Sequence, residues 1–164
     1  MNQQEIQNLA DTIDTLEVGL LPEPIFVAVA RIAALTGVEF IPFRKNSKGG
    51  IEVLLIKRPD EDPIWSNMLH TPGTIIRPSD TSLDSAFQRL FKQELLLDTP
   101  LTPSFVGVDI IRYNRGTTTA LQYTLDYNEE PNVGEFYDVT NLPDTLITEQ
   151  IPMINRALEH YKSL

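Results

Sequence analysis

Residues Trp65 to Leu96 read WSNMLHTPGTIIRPSDTSLDSAFQRLFKQELL. Met68 to Ile76 is an extended stretch broken at Pro72-Gly73, since proline offers no N–H to a ladder and glycine tolerates tight backbone geometry. Asp80, Thr81 and Ser82 then supply N-cap candidates, because short polar side chains accept hydrogen bonds from the free N–H groups of a first helical turn. Behind them Leu83, Ala86, Phe87, Leu90, Phe91 and Leu95 recur at helical spacing, which predicts an amphipathic helix over Thr81 to Leu95. A strand, a glycine break and a capped helix in so short a span place a loop between sheet and helix.

On the N-terminal side, Val38 to Arg44 and Ile51 to Arg58 flank the turn KNSKGG and read as a hairpin. The loop PDEDPIWSN follows. Earlier still, Ile6, Leu9, Ile13 and Leu16 predict a short helix over Gln3 to Leu16, after which Gly19 punctuates the chain. IFVAVARIAALTG predicts a second helix, with Pro24 in its first turn and Gly37 at its end. Its apolar composition predicts that it is well buried.

On the C-terminal side, Ser104 to Tyr113 and Thr117 to Tyr127 are strands joined by the tight turn Asn114-Arg115-Gly116. A short strand over Glu135 to Val139 and a closing helix over Thr148 to Tyr161 complete the chain, with Pro152 tolerated near the helix start. The order of elements predicts a mixed sheet with helices on both faces.

The 164 residues suit one domain of ordinary size, and the balance of 41% hydrophobic to 22% charged residues is that of a globular chain. Without cysteine, the chain has no disulfide, thiolate metal site or cysteine nucleophile. The start is polar and acidic, unlike a secretory signal, and the longest apolar stretch, Ile25 to Leu35, is interrupted by Arg31 and too short to span a bilayer. A cytoplasmic protein without membrane contact is expected. The net charge of −10 repels phosphate backbones, which argues against nucleic-acid polymers as partners. A small anion is still compatible with the chain where a metal or a local pair of cations offsets the field.

The stretch from Trp65 onward resembles the Nudix box, G-x5-E-x7-R-E-U-x-E-E-x-G-U with U aliphatic. LLIKRP resembles the strand before the box, and EFYDVTNLPDTL resembles the family's last strand and turn, so the resemblance covers about Val38 to Tyr161. Gly73 matches the glycine just before the motif, with Pro72 beside it, and Thr74 stands at the motif glycine. Asp80 takes the first glutamate's place, with one extra residue before Arg89, which matches the motif arginine. Leu90 and Gln93 replace two glutamates, Glu94 keeps the third, and Leu96 replaces the closing glycine.

The resemblance implies an α/β (α+β) fold, a Nudix-type α/β/α sandwich with a mixed sheet. It also implies a division into an N-terminal helical extension over residues 1–36, built of two helices, and a Nudix-like domain over residues 37–164. The extension is expected to pack on the domain or to form a homodimer contact. Family members hydrolyse nucleoside diphosphates linked to another moiety, using Mg2+ or Mn2+ bridged between the diphosphate and the helix carboxylates. The box face here is Leu90, Gln93 and Glu94, so most catalytic carboxylates are missing. Two readings stay open: a metal-dependent pyrophosphohydrolase of weak or altered activity, and a non-catalytic scaffold binding a nucleotide-like ligand or a protein partner.

Each candidate residue has a bland alternative. Glu94, Arg89 and Asp80 are the catalytic candidates, and Glu94 with Gln93 the metal ligands, with Glu129, Glu130 and Glu135 as further carboxylates. Yet Arg89 suits a brace for the loop, Asp80 a helix N-cap, and Glu94 an ordinary solvated helix residue. Trp65, Arg58 and His70 are the candidates for substrate binding, against a core tryptophan, an edge charge and a packed histidine. Arg44 and Lys57, also near strand ends, could meet phosphates. Pro72 and Gly73 set loop geometry.

Overall fold

A computed structural model describes residues 1–16 and 21–164. The elements run α1 (Gln3–Asp14), α2 (Glu23–Ile32), β1 (Leu35–Lys45), β2 (Ile51–Lys57), β3 (Leu69–His70), β4 (Gly73–Ile75), α3 (Leu83–Glu94), β5 (Ser104–Tyr113), β6 (Gly116–Asp126), β7 (Glu135–Asp138) and α4 (Ile151–Tyr161). A 3-10 turn over Thr148–Gln150 leads into α4. Gly19, expected to punctuate the chain, lies outside the described residues.

The sheet is mixed, in the order β3-β2-β1-β6-β5, with β4 also on β1 and β7 on β2. β1 runs parallel to β6 from Leu35↔Thr118 to Phe43↔Asp126. On its other edge β1 pairs with β4 over Gly37–Glu39 and with β2 over Phe43–Lys45. No ladder pair covers the stretch of that edge between them, and Pro42, which has no N–H to donate, sits within it.

Side chains alternate across the sheet, and each face has its own core. Ile41, Phe43, Val53 and Leu55 pack with Met153 and Ile154 of α4. Val38, Phe40, Leu54 and Ile56 pack with Ala86, Phe87 and Leu90 of α3. The result is the α/β/α sandwich with a mixed sheet that the sequence predicts. The α3 helix starts at Ser82, whose side chain accepts from the Ser85 N–H at 3.2 Å while Ser85 Oγ accepts from the Ser82 N–H at 3.0 Å.

The N-terminal helices depart from expectation. α1 is closed by an Asn2–Glu5 capping box but buries no residue. α2 begins with Pro24 in its first turn, as expected, yet ends at Ile32 and not at Gly37. Gly37 lies within β1, paired with Ala120 on one side and Ile75 on the other. Ladder bonds along both edges of Leu35–Gly37 outweigh the local helical pattern there. The expected burial of α2 is also corrected: only Ala30 is buried and Ile32 is 86% exposed. Its apolar residues Phe26 and Val27 face a cleft.

Candidate functional site

The cleft, of about 840 Å3, opens where β1 meets β4 and lies beneath the N-terminal helices. Its floor holds two carboxylates. Glu39 lies in the middle of the apolar run VEFIPF on β1 and is 9% exposed. Glu94 is the last residue of α3, and its Oε2 accepts from the Gly73 N–H at 3.3 Å. Glu39 pairs with Gly73 across the ladder, and Thr71 Oγ1 donates to Glu39 Oε2 at 3.3 Å. A Cβ on Gly73 would lie 2.5 Å from Glu39 Oε2 and 3.2 Å from the Val38 carbonyl, so a side chain there would push the Glu39 carboxyl aside.

Burial, reinforced by the charge of Glu94, pushes the Glu39 carboxyl up to about 8. Burial also raises Glu94, against the opposing pull of the Gly73 N–H and Arg58. At neutral pH Glu39 is therefore protonated and can donate a hydrogen bond, while Glu94 is the better acceptor. Sequence reading missed Glu39, although an acid within an otherwise apolar strand is a legible sign of an unusual environment.

The walls are aromatic and cationic. Trp65 is 5% exposed and meets Tyr113 edge-to-face at 5.4 Å. Arg58 Nε donates to Asp62 Oδ2 at 2.8 Å. Burial opposes ionisation of Asp62, but hydrogen bonds from the Trp65 N–H, Arg58 and the Ile64 N–H hold its carboxyl low. Arg115, on the β5–β6 turn, lies 4.9 Å from the Trp65 ring, 5.5 Å from Phe26 and 5.9 Å from Tyr113. The buried Tyr113 hydroxyl faces the Gln150 side chain, which favours its ionised form, but the two do not reach good hydrogen-bond geometry. Sequence reading passed over Tyr113 and Arg115, which sit in and beside an ordinary hairpin turn.

Other expected residues have distinct placements. His70 is buried in the cleft wall, where burial and Arg58 push its imidazole down to about 3, so it stays neutral at physiological pH. Arg89 knits the box loop together: Nη1 donates to Thr74 Oγ1 at 2.6 Å, Nη2 to the Ile75 carbonyl at 2.9 Å, and Nη2 to Asp80 Oδ2 at 2.6 Å. Thr74, at the motif glycine, thus gains a role of its own. Asp80 also accepts from the Arg77 N–H at 2.8 Å, and its hydrogen bond with Arg89 holds its carboxyl low. It is a loop brace, and the N-cap reading is corrected, since Ser82 caps α3.

The box face does not build a carboxylate cluster. Leu90 is fully buried among Val38, Phe40 and Leu54, and Gln93 is exposed and lines no part of the cleft. Glu129, Glu130 and Glu135 are also exposed and outside it, with Glu130 near Arg44 at 3.4 Å. Among the described residues no group of three His, Asp or Glu side chains could surround a metal ion. The donors therefore do not fit the three-carboxylate magnesium site that the resemblance implies. Among those residues no helix is long and apolar enough to cross a membrane.

Solved structures share this architecture. The Nudix domain of Shewanella oneidensis NrtR, in complex with ADP ribose, matches with a TM-score of 0.62 at 20% identity, over 86% of this chain and 99% of that one. A MutT protein from Methanosarcina mazei Go1 matches at 0.61 and 16% identity, over 79% and 96%. S. oneidensis NrtR complexed with a 27mer DNA matches at 0.59 and 17% identity, over 78% of this chain and 62% of that chain. No protein-family model and no curated protein matches the chain. The chain has the Nudix fold.

Proposed function

We propose that this chain is a binding form of the Nudix scaffold, whose cleft takes a nucleotide-type ligand without hydrolysing it at the rate of a full box. The observation that carries this reading is the burial of Leu90. A leucine there contributes about 2 kcal/mol of apolar burial to the core and has no oxygen for a cation. With Gln93 turned to solvent, the helix has one carboxylate in the cleft, where the reaction needs several acting together. The aromatic and cationic walls suit a base and an anionic group. The ADP-ribose complex of the NrtR domain lends support by analogy of fold.

The second reading, a slow pyrophosphohydrolase, is favoured by one observation: Glu39 brings a second carboxylate to Glu94 from β1. Residual turnover would then depend on Mg2+ or Mn2+, because one or two carboxylates with substrate phosphates suffice to hold such an ion. A homodimer contact through the N-terminal helices and a cytoplasmic location belong to the same proposal. Titration calorimetry with ADP-ribose, with and without Mg2+, tests the first reading alongside a turnover assay in Mg2+ or Mn2+. Binding without turnover is expected. Metal-dependent release of a nucleoside monophosphate, lost in Glu94→Gln, would establish the second reading instead.

A further inference from the structure

We propose that Arg115 and Tyr113 form an anion subsite in the cleft, on the β5–β6 hairpin and under α2, that takes a phosphate group of the ligand. This inference rests on the nucleotide-binding reading and assigns the cleft wall that recognises the anionic part.

Three other half-buried arginines have the carboxylate partner that Arg115 lacks. Arg44 pairs with Glu52 at 2.8 Å, Arg58 with Asp62, and Arg89 with Asp80 at 2.6 Å. A guanidinium withdrawn from water is costly unless a carboxylate or other acceptors meet its five N–H donors. Among the described residues no carboxylate lies within ion-pair distance of Arg115. Phe26, Trp65 and Tyr113 crowd the guanidinium instead. Aromatic faces stabilise the cation but accept none of its in-plane hydrogen bonds. Burial accordingly lowers its affinity for its own proton. An anion in the cleft would supply the missing acceptors.

Tyr113 is an independent sign. Its hydroxyl is buried without a hydrogen-bond partner, and the residue is only 8% exposed. A ligand oxygen in the cleft would give this hydroxyl the partner it lacks. In a lining that also holds Glu23, Glu39, Asp62 and Glu94, Arg77 likewise makes no ion pair among the described residues, so two arginines there have side-chain donors to offer. Phosphate fits them because a guanidinium can bind it in a bidentate manner.

The backbone holds this subsite in place. Gly116 follows Arg115 with φ +146, and a Cβ there would run into the Ala30 carbonyl of α2. Helix α2 therefore packs directly on the turn and lays Phe26 over the guanidinium. The N-terminal segment gains a role as the part that positions Arg115.

Calorimetric titration of the full chain with ADP, adenosine and inorganic pyrophosphate tests the subsite. Arg115→Gln should weaken ADP and pyrophosphate at least 10-fold and adenosine by less than 3-fold. Tyr113→Phe should weaken ADP about 3-fold, and Arg115→Lys should retain part of the binding. Near-ultraviolet circular dichroism checks that each variant keeps the packing of Trp65. Wild type that binds pyrophosphate but neither ADP nor adenosine, with the pyrophosphate lost in Arg115→Gln, would uphold the subsite and overturn the nucleotide reading. A folded Arg115→Gln that binds ADP and pyrophosphate like wild type would overturn the subsite. Wild type that binds none of the three would overturn both.

Discussion

Glu39 of β1 and Glu94 of α3 meet over Gly73: the Gly73 N–H donates to Glu94 at 3.3 Å, and a Cβ on the same residue would lie 2.5 Å from the Glu39 carboxylate. Two acids far apart in sequence thus share one backbone position. Gly73→Ala should destabilise the protein by about 1–3 kcal/mol through overpacking. Combining it with Glu39→Ala should recover part of that loss, a coupling of about 1 kcal/mol in a double-mutant cycle read by denaturant unfolding. Strictly additive losses would mean that the clash lies with the Val38 carbonyl, 3.2 Å away, and not with Glu39.

The cleft should also shape stability against pH. Glu39 is raised from 4.5 to about 8, so its native site favours the protonated acid, and its contribution is lost as pH rises from 4.5 to 8. His70 is lowered from 6.5 to about 3, so its contribution is lost as pH falls from 6.5 to 3. Between 4.5 and 6.5 the two slopes oppose each other, with the raised Glu94 adding to the loss as pH rises. Above 6.5 stability falls with rising pH through Glu39, and below 4.5 it falls with falling pH through His70, joined by the lowered carboxyls of Asp62 and Asp80. Glu39→Gln should flatten the alkaline side and His70→Gln should lessen the acid side. Urea unfolding across pH 3 to 8 reads both, and an alkaline limb that persists in Glu39→Gln would contradict the assignment.

Arg89→Ala should cost about 3–5 kcal/mol, because it strands the Asp80 carboxylate, whose side chain is only 6% exposed. Arg89→Lys should restore little, since one ammonium cannot reach Thr74, the Ile75 carbonyl and Asp80 together. Thermal unfolding measures both variants. A fully stable Arg89→Ala would show that the box loop does not need its brace.

Leu96 adopts φ +52, a left-handed conformation that disfavours any residue with a Cβ, and its side chain is 60% exposed. Leu96→Gly should stabilise the protein by about 1 kcal/mol, because little packing is lost while the strain at the end of α3 is relieved. Denaturant midpoints decide this, and a destabilised variant would show that Leu96 packs better in solution than its exposure indicates.

Much of the fold was readable because it is written in local periodicity. The helix over Leu83–Glu94 and the strand over Ser104–Tyr113 follow from apolar spacing, and the box loop from Pro72-Gly73. The α2 boundary was misread because Leu35–Gly37 has helical neighbours in sequence but strand partners in space. Of the cleft, Trp65, His70, Arg58 and Glu94 were legible as candidate types. Glu39 carried a local sign, an acid in an apolar strand, but Tyr113 and Arg115 did not, and nothing local marks the three as neighbours.

The sequence by itself determined the two faces of the sheet, the capped helix after the Pro72-Gly73 loop and the presence of leucine, glutamine and a single glutamate at positions 90, 93 and 94, because each depends on residue type at a fixed spacing. Only the tertiary structure decided that Leu90 completes a core, that Asp80 braces a loop, and that Glu39 and Arg115 enter the same cleft as Glu94. Charge partnership and burial are set by which segments meet in space, and residues 39, 94 and 115 meet only once β1, α3 and the β5–β6 turn have packed.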